Sequence, residues 1–550
     1  KGGVISQFDK DGVEQLGLIK LDLLSLRILS ALEVATQQIR ESDPDFDIGS
    51  IPAEDEATFR RIRSAETIGL FQLESPAQRA LQGRLGSTRY EDIVASLALI
   101  RPGPIKGNMV EPYVRRRKGL EPVTYPHPAL APILERTYGV ILFQEQVIDI
   151  AYRLAGFTPG EADRLRRVMS HARSHEEMTA IGDLFCRKAV EQGTDAETAR
   201  AVFERIAGYA SYGFNEAHAA AFAATSYKTA YLAEHHPAEF FAAILSQQPM
   251  GYYPPRIIVL EARRRGVRIL GPDIRESLWE SRAVTDSDGR PAIRLGLQTI
   301  RGLSTETATA ITALRKEGDG AVETTSFAQW LRQVRPLRDE VEALILSGAL
   351  DVLAGPGHNR RALLWRWQHL LNGPLASRGY RDGGRQASRP PTGMDAFDLA
   401  SVTDEGGTER NGWWQEVRDF SPAERVAEEF RVLGLSVSQH PLALVREELR
   451  RRGLLDSGQL ARLPDGAVAE VAGIPFRPHR PPTRSGRTIV YFSLEDEYGL
   501  TEVTVFEELY QRQGELLFAG QHIPLRVQGR LSRQENTLQL QALHLAPLRL

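Results

Sequence analysis

The chain holds a single cysteine, Cys186, in 550 residues. An intramolecular disulfide and a cysteine zinc site are therefore both excluded, which suits a reducing compartment, and a cytoplasmic location is expected. No apolar run approaches the roughly 20 residues that cross a bilayer, so neither a membrane span nor a membrane partner is expected. Net charge is scarce as well. With 68 Lys and Arg against 71 Asp and Glu, the formal charge is −3. There is no global basic signature, and contact with an anionic polymer has to come from local patches. Histidine gives no metal spacing either: His127, His175, His235 and His236 are not arranged as a ligand set. Methionine does not open the chain. It begins at Lys1, inside a stretch that reads as domain interior, so a piece of a longer protein is expected.

What is present is length, arginine and helical periodicity. A chain of this size exceeds one core, and two to four domains are expected. Basic patches occur at Arg115-Arg116-Arg117-Lys118, at Arg164 with Arg166 and Arg167, and at Arg263-Arg264-Arg265. Arginine outnumbers lysine, which suits planar phosphate recognition and follows equally from a GC-rich genome. A strand-like apolar run from Leu16 to Leu24 precedes a helix ending near Arg40. From about 51 to 270 apolar residues recur at three and four spacing, which predicts a large helical region. Glu54-Asp55-Glu56 and Thr158-Pro159-Gly160-Glu161 mark two helix starts.

Residues 294 to 315 predict a short strand, a turn at Gly302 and a helix. The pattern resembles a helix-hairpin-helix, which offers backbone N–H groups to DNA phosphates; a plain helix pair is the alternative. Residues 372 to 415 are rich in Gly, Pro, Ser, Arg and Asp and predict a flexible linker. Within it Met394-Asp395-Ala396-Phe397-Asp398-Leu399 is either a short docking peptide or ordinary linker. From Ala467 onward the period becomes two. Five short strands suit an OB-fold β-barrel, whose open face binds single-stranded nucleic acid, with Arg477, Arg480, Arg484 and Arg487 on its first hairpin. A small barrel that binds nothing is the alternative.

Residues 208 to 240 combine a glycine and aromatic turn, Tyr212-Gly213-Phe214-Asn215, with a long helix carrying Glu216 and His218 in its first turn. Such a helix start suits an anionic ligand, because unpaired N–H groups and the helix dipole both point there. An ordinary buried helix with a tight entry turn is the alternative.

This segment resembles the fingers helix of the C-family bacterial DNA polymerases, the DNA polymerase III alpha-subunit family. Further similar motifs follow in the family's order: Lys20-Leu21-Asp22-Leu23-Leu24, Phe71-Gln72-Leu73-Glu74-Ser75, Arg101-Pro102-Gly103-Pro104, Phe143-Gln144-Glu145-Gln146 and Leu165-Arg166-Arg167. The resemblance implies a multidomain α+β architecture. Its parts are the C-terminal end of a palm (1–50), helical fingers (51–270), a helix-hairpin-helix domain (271–371), the linker (372–415), a helical lead-in (416–465) and an OB-fold (466–550). It implies a DNA-directed DNA polymerase using two Mg²⁺ ions, with primer–template DNA and dNTPs as partners. A sliding clamp or accessory damage-tolerance proteins are the further partners it suggests.

Site residues follow residue by residue from the same resemblance. Asp22 matches the third metal-ligating aspartate, and Lys20 lies on the same face of the expected strand; a surface ion pair is the alternative. The family's other two aspartates lie upstream of this chain, so the chain by itself is expected to be inactive. Asp43-Pro44-Asp45-Phe46-Asp47 looks like that missing pair but follows Asp22 instead of preceding it, and is read as a solvated turn. Arg166 and Arg167 are expected on the incoming triphosphate, with Tyr212, Asn215 and His218 lining the nucleotide pocket. Arg101, Lys106, Arg115, Arg116, Arg117, Lys118, Arg301, Gly302, Arg484 and Arg487 are expected to meet DNA, although a charge run is as often a solvated face.

Two branches compete. Gln248-Pro249-Met250-Gly251-Tyr252-Tyr253, Glu261 to Val267, Arg294-Leu295-Gly296-Leu297 and Arg360 to Trp365 look like the error-prone, damage-associated branch. Tyr138 to Leu142 and Asn215 look like the main replicase. The error-prone branch is the expectation, with a truncated replicase alpha subunit, or a non-catalytic DNA-binding fragment of either, as alternative.

Overall fold

The computed structural model describes residues 7–19, 21, 23, 25–101, 109–170, 175–209, 214–316, 326–354, 359–372, 417–481, 483, 486–518, 523–534 and 537–549. Lys20, Asp22, Lys106, Tyr212, Arg484, the Met394–Leu399 peptide and most of the expected linker lie outside them.

Helices dominate from Arg27 to Arg264, and two of them start where acidic residues and proline predict. Asp55 accepts from the backbone N–H of Thr58 at 2.7 Å and opens helix Glu56–Arg63. Thr158 and Glu161 exchange bonds, Thr158 N to Glu161 Oε2 at 2.8 Å and Glu161 N to Thr158 Oγ1 at 3.4 Å, and open helix Pro159–Ser170. Each pair satisfies donors that the first helical turn leaves without an internal partner. The strand expected over Leu16 to Leu24 does not form among the described residues of that stretch. Leu16, Leu18, Ile19, Leu21 and Leu23 are irregular and exposed, from 55% at Leu16 to 89% at Leu23. No described strand lies beside them, and an isolated strand has no ladder to bond.

Two cores divide the helical part. The larger draws on residues from Ile28 to Phe143 and from Ala219 to Leu435 and takes in helices Arg27–Arg40, Glu216–His235 and Pro237–Ser246. The smaller gathers Leu130, Ile150, Leu165, Phe185 and Ile206 from helices between Pro128 and Tyr209.

After Arg264 a three-stranded sheet appears: β1 (Arg268–Leu270), β2 (Arg282–Thr285) and β3 (Pro291–Arg294), in the order β1-β3-β2. Of the strand, turn and helix expected over 294 to 315, the turn and the helix form; β3 ends at Arg294, and Leu297–Thr299 is a short 3-10 turn in place of a strand. Gly302 turns the chain at φ 85°, a left-handed conformation that glycine adopts without a Cβ penalty, ahead of helix Thr305–Lys316. Ser304, two residues further on, is engaged through both its side chain and its backbone. Its Oγ accepts from Thr307 N at 3.2 Å, and its own N–H donates to Glu340 at 2.8 Å. The hydroxyl caps the second helix while Glu340 holds the hairpin against helix Arg338–Ser347.

All five expected C-terminal strands form. β4 (Val468–His479), β5 (Ile489–Glu495), β6 (Leu500–Phe506), β7 (Leu525–Gln534) and β8 (Thr537–Pro547) close into a barrel in the order β4-β5-β6-β8-β7. Only the β6–β8 pairing is parallel. Val490, Phe492 and Leu494 alternate into its interior. Simple alternation would leave Ser493 and Glu495 in water, yet they are 3% and 1% exposed. The outer face of β5 and β6 packs onto the helical region. Arg256 pairs with Glu495 at 2.7 Å, Arg79 with Glu502 at 2.9 Å, and Phe476 stacks on Tyr253 at 5.8 Å. The Ser493 and Glu495 end of that face is thus covered, because two carboxylates on it find guanidinium partners on the fingers side, while Ile489 and Tyr491 are half-buried and Phe506 stays exposed.

Candidate nucleotide and nucleic-acid site

Helix Glu216–His235 begins at a tight join. Asn215 caps it, its Oδ1 accepting from His218 N at 2.8 Å. Its Nδ2 donates to Glu145 Oε1 at 2.6 Å, and Glu216 N donates to Glu145 Oε2 at 3.0 Å. Gln144 N donates to Phe214 O at 3.0 Å, and Arg136 grips Glu216 with both terminal nitrogens, at 2.5 and 2.6 Å. This corrects the expectation of an open anion site. The positive end of the helix already faces a carboxylate of the protein itself, and a second phosphate-like charge there would meet repulsion. Both polar ends of the Asn215 side chain are likewise engaged within the protein.

His218 stands one turn in and is exposed. Its ring lies 4.1 Å from that of Phe222 and 5.3 Å from that of Phe214, and Phe222 in turn contacts Phe71 at 5.2 Å. The Arg101 guanidinium sits 3.8 Å over the Phe214 ring. This aromatic row walls a cavity of about 880 Å³ that also exposes Arg27, Glu74, Tyr252 and Arg477. Leu23 and Ser25 line it as well. A cavity with stacked rings on one wall and guanidinium groups around its rim suits a ligand with a flat ring and a negative charge.

Glu74 is the acid of this cavity. It accepts from Gly69 N at 3.1 Å and Tyr252 N at 2.5 Å, tying the loop after Ser64 to the loop after Ser246. Burial pushes its carboxyl up to about 7, against the pull of those two bonds and of Arg477.

Arg166 and Arg167 project from helix Pro159–Ser170, on the smaller core, and stay partly exposed. Both pair with Asp163, at 2.8 and 3.0 Å. His218 and Asn215 belong to a helix of the larger core, so the two expected halves of the nucleotide grip sit on different cores. The bonds between Gln144-Glu145 and Phe214-Asn215-Glu216 join them.

The basic run at 115 to 118 divides. Arg117 is 13% exposed and pairs with the fully buried Asp92 at 2.8 and 2.5 Å, and donates to Leu85 O at 2.7 Å. Arg116 bonds Glu121 at 2.9 Å and Tyr138 O at 3.3 Å. Arg115 reaches Glu121 at 3.5 Å and is half exposed. Arg117 therefore serves packing, since a buried carboxylate requires a paired cation. Arg301 donates to Arg431 O at 3.2 Å at the end of helix Pro422–Leu433, and Gly302 beside it is exposed. Arg487 is exposed on the first barrel hairpin, where Arg480 reaches the Tyr510 hydroxyl at 3.1 Å.

Asp43, Asp45 and Asp47 lie exposed in a turn, where Asp47 accepts from Gly49 N at 3.0 Å. Among the described residues no group of three or more His, Cys, Asp or Glu side chains could hold a metal ion, and no helix is long and apolar enough to cross a membrane. Glu145, Arg136 and Glu74 are the polar groups that sequence reasoning missed. Two of them lay inside quoted motifs, but their partners stand about 70 to 180 residues away and leave no local signal.

Residues 28–193 match the family described as the bacterial DNA polymerase III alpha subunit finger domain, and residues 266–363 match the helix-hairpin-helix motif. A fingers region, a helix-hairpin-helix and an OB-type barrel in one chain define the class, a bacterial DNA polymerase. The error-prone DNA polymerase of Symbiobacterium thermophilum is 49% identical over 558 residues, covering 97% of this chain and 50% of that protein. That of Anaeromyxobacter dehalogenans strain 2CP-C is 39% identical over 568 residues, covering 100% and 47%. That of Pseudomonas aeruginosa is 37% identical over 511 residues, covering 92% and 46%. The chain belongs to the C family of bacterial DNA polymerases, the DNA polymerase III alpha-subunit family, in its error-prone branch. It spans about half the length of the curated relatives it matches.

Two outcomes are expected. Arg117→Ala strips the buried Asp92 of its close ion pair, leaving Arg89 at 3.7 Å as its cation, and lowers unfolding stability by about 2–3 kcal/mol, whereas Arg115→Ala changes it by less than about 0.5 kcal/mol; urea denaturation of both variants measures the difference. Glu74 titrates higher in the folded protein than its ordinary 4.5. The fold therefore favours its neutral form: that contribution is complete below about pH 4.5 and is lost as pH rises to about 7. Over that interval the wild type loses stability relative to Glu74→Gln, and above it the difference is flat. Paired denaturation curves across the interval measure this.

Proposed function

We propose that the full-length protein is a DNA-directed DNA polymerase that adds dNMP to a primer 3′ end opposite a template strand, in damage-associated synthesis in the bacterial cytoplasm. The observation that carries the reading is the 49% identity to an error-prone DNA polymerase across 97% of this chain. Residues 1–50 then belong to the palm, 51–270 to the fingers, 271–371 to the helix-hairpin-helix domain, 372–415 to a linker, 416–465 to a lead-in and 466–550 to the OB-fold. Primer–template DNA and dNTPs are its substrates, and a sliding clamp or accessory damage-tolerance proteins are its further partners.

Each residue has a role in this reading. Two Mg²⁺ ions would lower the cost of ionising the primer hydroxyl and offset the charge of the departing pyrophosphate. Asp22 is the residue of this chain that would hold metal, since hard cations take carboxylate oxygens. The other two carboxylate ligands would come from the upstream part of the full-length protein, as the family resemblance implies. Lys20 sits two residues from Asp22 and would place a cation beside the triphosphate. Arg166 and Arg167 grip the triphosphate with paired donors, and Tyr212, Asn215 and His218 line the nucleotide pocket, His218 with the aromatic row beside it meeting the base or sugar. Arg101, Lys106, Arg115, Lys118, Gly302, Arg484 and Arg487 face the DNA backbone. Arg116, Arg117 and Arg301 act behind them by fixing the surface.

In the full-length protein, Asp22→Asn is expected to bring primer extension to background while DNA binding is retained; equal loss of both would assign Asp22 to folding. Arg166→Ala is expected to raise the KM for dNTP roughly tenfold or more, the worth of one charge-assisted hydrogen bond. Steady-state single-nucleotide extension, with DNA binding followed across salt, checks both.

A further inference from the structure

We propose that Glu145 is a positioning residue for nucleotide use, a role that rests on the polymerase reading above. Its carboxylate fixes the first turn of helix Glu216–His235, which presents His218, to the helices that carry Arg166 and Arg167. Glu145 accepts from Asn215 Nδ2 at 2.6 Å and from Glu216 N at 3.0 and 3.2 Å. It is the residue after Gln144, whose N–H bonds Phe214 O, and it opens helix Gln144–Ala155 of the smaller core. Its neighbour Gln146 is fully buried and is held by four bonds: it accepts from Leu142 N and Phe143 N and donates to Ile133 O and Thr137 Oγ1, at 2.8 to 3.2 Å. The backbone that presents Glu145 is thus rigid.

The geometry separates this role from ordinary capping. Asn215 already caps the helix through Oδ1, so the carboxylate adds orientation of the Asn215 amide and a second anchor at Glu216 N. Both anchors cross from one core to the other. A nucleotide held by His218 on one side and Arg166 and Arg167 on the other needs those cores in a fixed relation, because misplacement of about 1 Å costs orientation. Glutamine at 145 retains one acceptor oxygen and loses the charge that complements the helix end.

The test uses steady-state primer extension by the full-length protein with Glu145→Ala, Glu145→Gln, Asn215→Ala and the Glu145→Ala/Asn215→Ala double variant. Glu145→Ala is expected to raise the KM for dNTP about tenfold. Its kcat should stay within about threefold, and its DNA binding should be unchanged. Glu145→Gln should recover most of the KM. The double variant should lose less than the sum of the two single losses, since both changes break one shared bond and Asn215→Ala alone removes the cap at His218 N. An unchanged KM in Glu145→Ala, or additive losses in the double variant, would overturn the proposal. If Glu145→Ala does not fold, Glu145→Gln and Asn215→Ala decide: a rise of a few fold in KM in each supports the role, and wild-type values in both overturn it. A wild-type protein that incorporates no nucleotide would instead overturn the polymerase reading itself.

Discussion

One continuous apolar core, from Ile28 to Leu435, carries the rest of this molecule. Helix Pro237–Ser246 lies at its centre with Phe240, Phe241, Ala242 and Ala243 buried, packed against helix Arg27–Arg40 on one side and β2 and β3 on another. Each large apolar side chain buried there contributes about 1.5–3 kcal/mol relative to exposure. Because the same core underlies the fingers and the helix-hairpin-helix region, the two cannot shift relative to each other without exposing it. The smaller helical core and the barrel have separate interiors and are attached to it.

Attachment is made with carboxylates. Glu145 joins the smaller core to helix Glu216–His235, and Glu495 and Glu502 join the barrel to Arg256 and Arg79. Glu429 accepts from Ser436, Val437 and Ser438 and faces Arg360, holding the lead-in helix in place. A buried carboxylate is unforgiving about partners, since leaving it unpaired costs far more than a misfitted methyl group. Apolar contact would let these joints slide, whereas a charged group with two or three fixed donors specifies one arrangement. Much of the arginine in the chain is used this way, at Arg117, Arg256 and Arg360.

The candidate site lies where these attachments meet. Its aromatic row, Phe71, Phe222, His218 and Phe214, comes from the large core; Arg477 comes from β4 of the barrel. In the proposed reading Arg166 and Arg167 join it from the smaller core. A ligand bridging such groups would sense how all three bodies are set, so residues remote from it, such as Glu145, acquire influence over its binding.

Sequence determined most elements whose signal is local, the apolar run at Leu16 to Leu24 excepted. Helix starts at Asp55 and Thr158, the Gly302 turn with the helix after it, and the five barrel strands follow from capping chemistry, φ preference and side-chain alternation, which operate within a few residues. The ordered motifs were legible too, and with them the family and its branch. Tertiary structure alone decided what faces what. The basic run at 115 to 118 looks uniform in sequence, yet Asp92, some two dozen residues earlier, draws Arg117 inside. Ser493 and Glu495 fall on the outward register of β5, yet Ser493 is covered with that face and Arg256 draws Glu495 under cover. The end of helix Glu216–His235 reads as an open anion site until Glu145, about 70 residues earlier, fills it. Each of these depends on a charge brought from far along the chain, and the desolvation that makes the pairing obligatory exists only once the chain has folded.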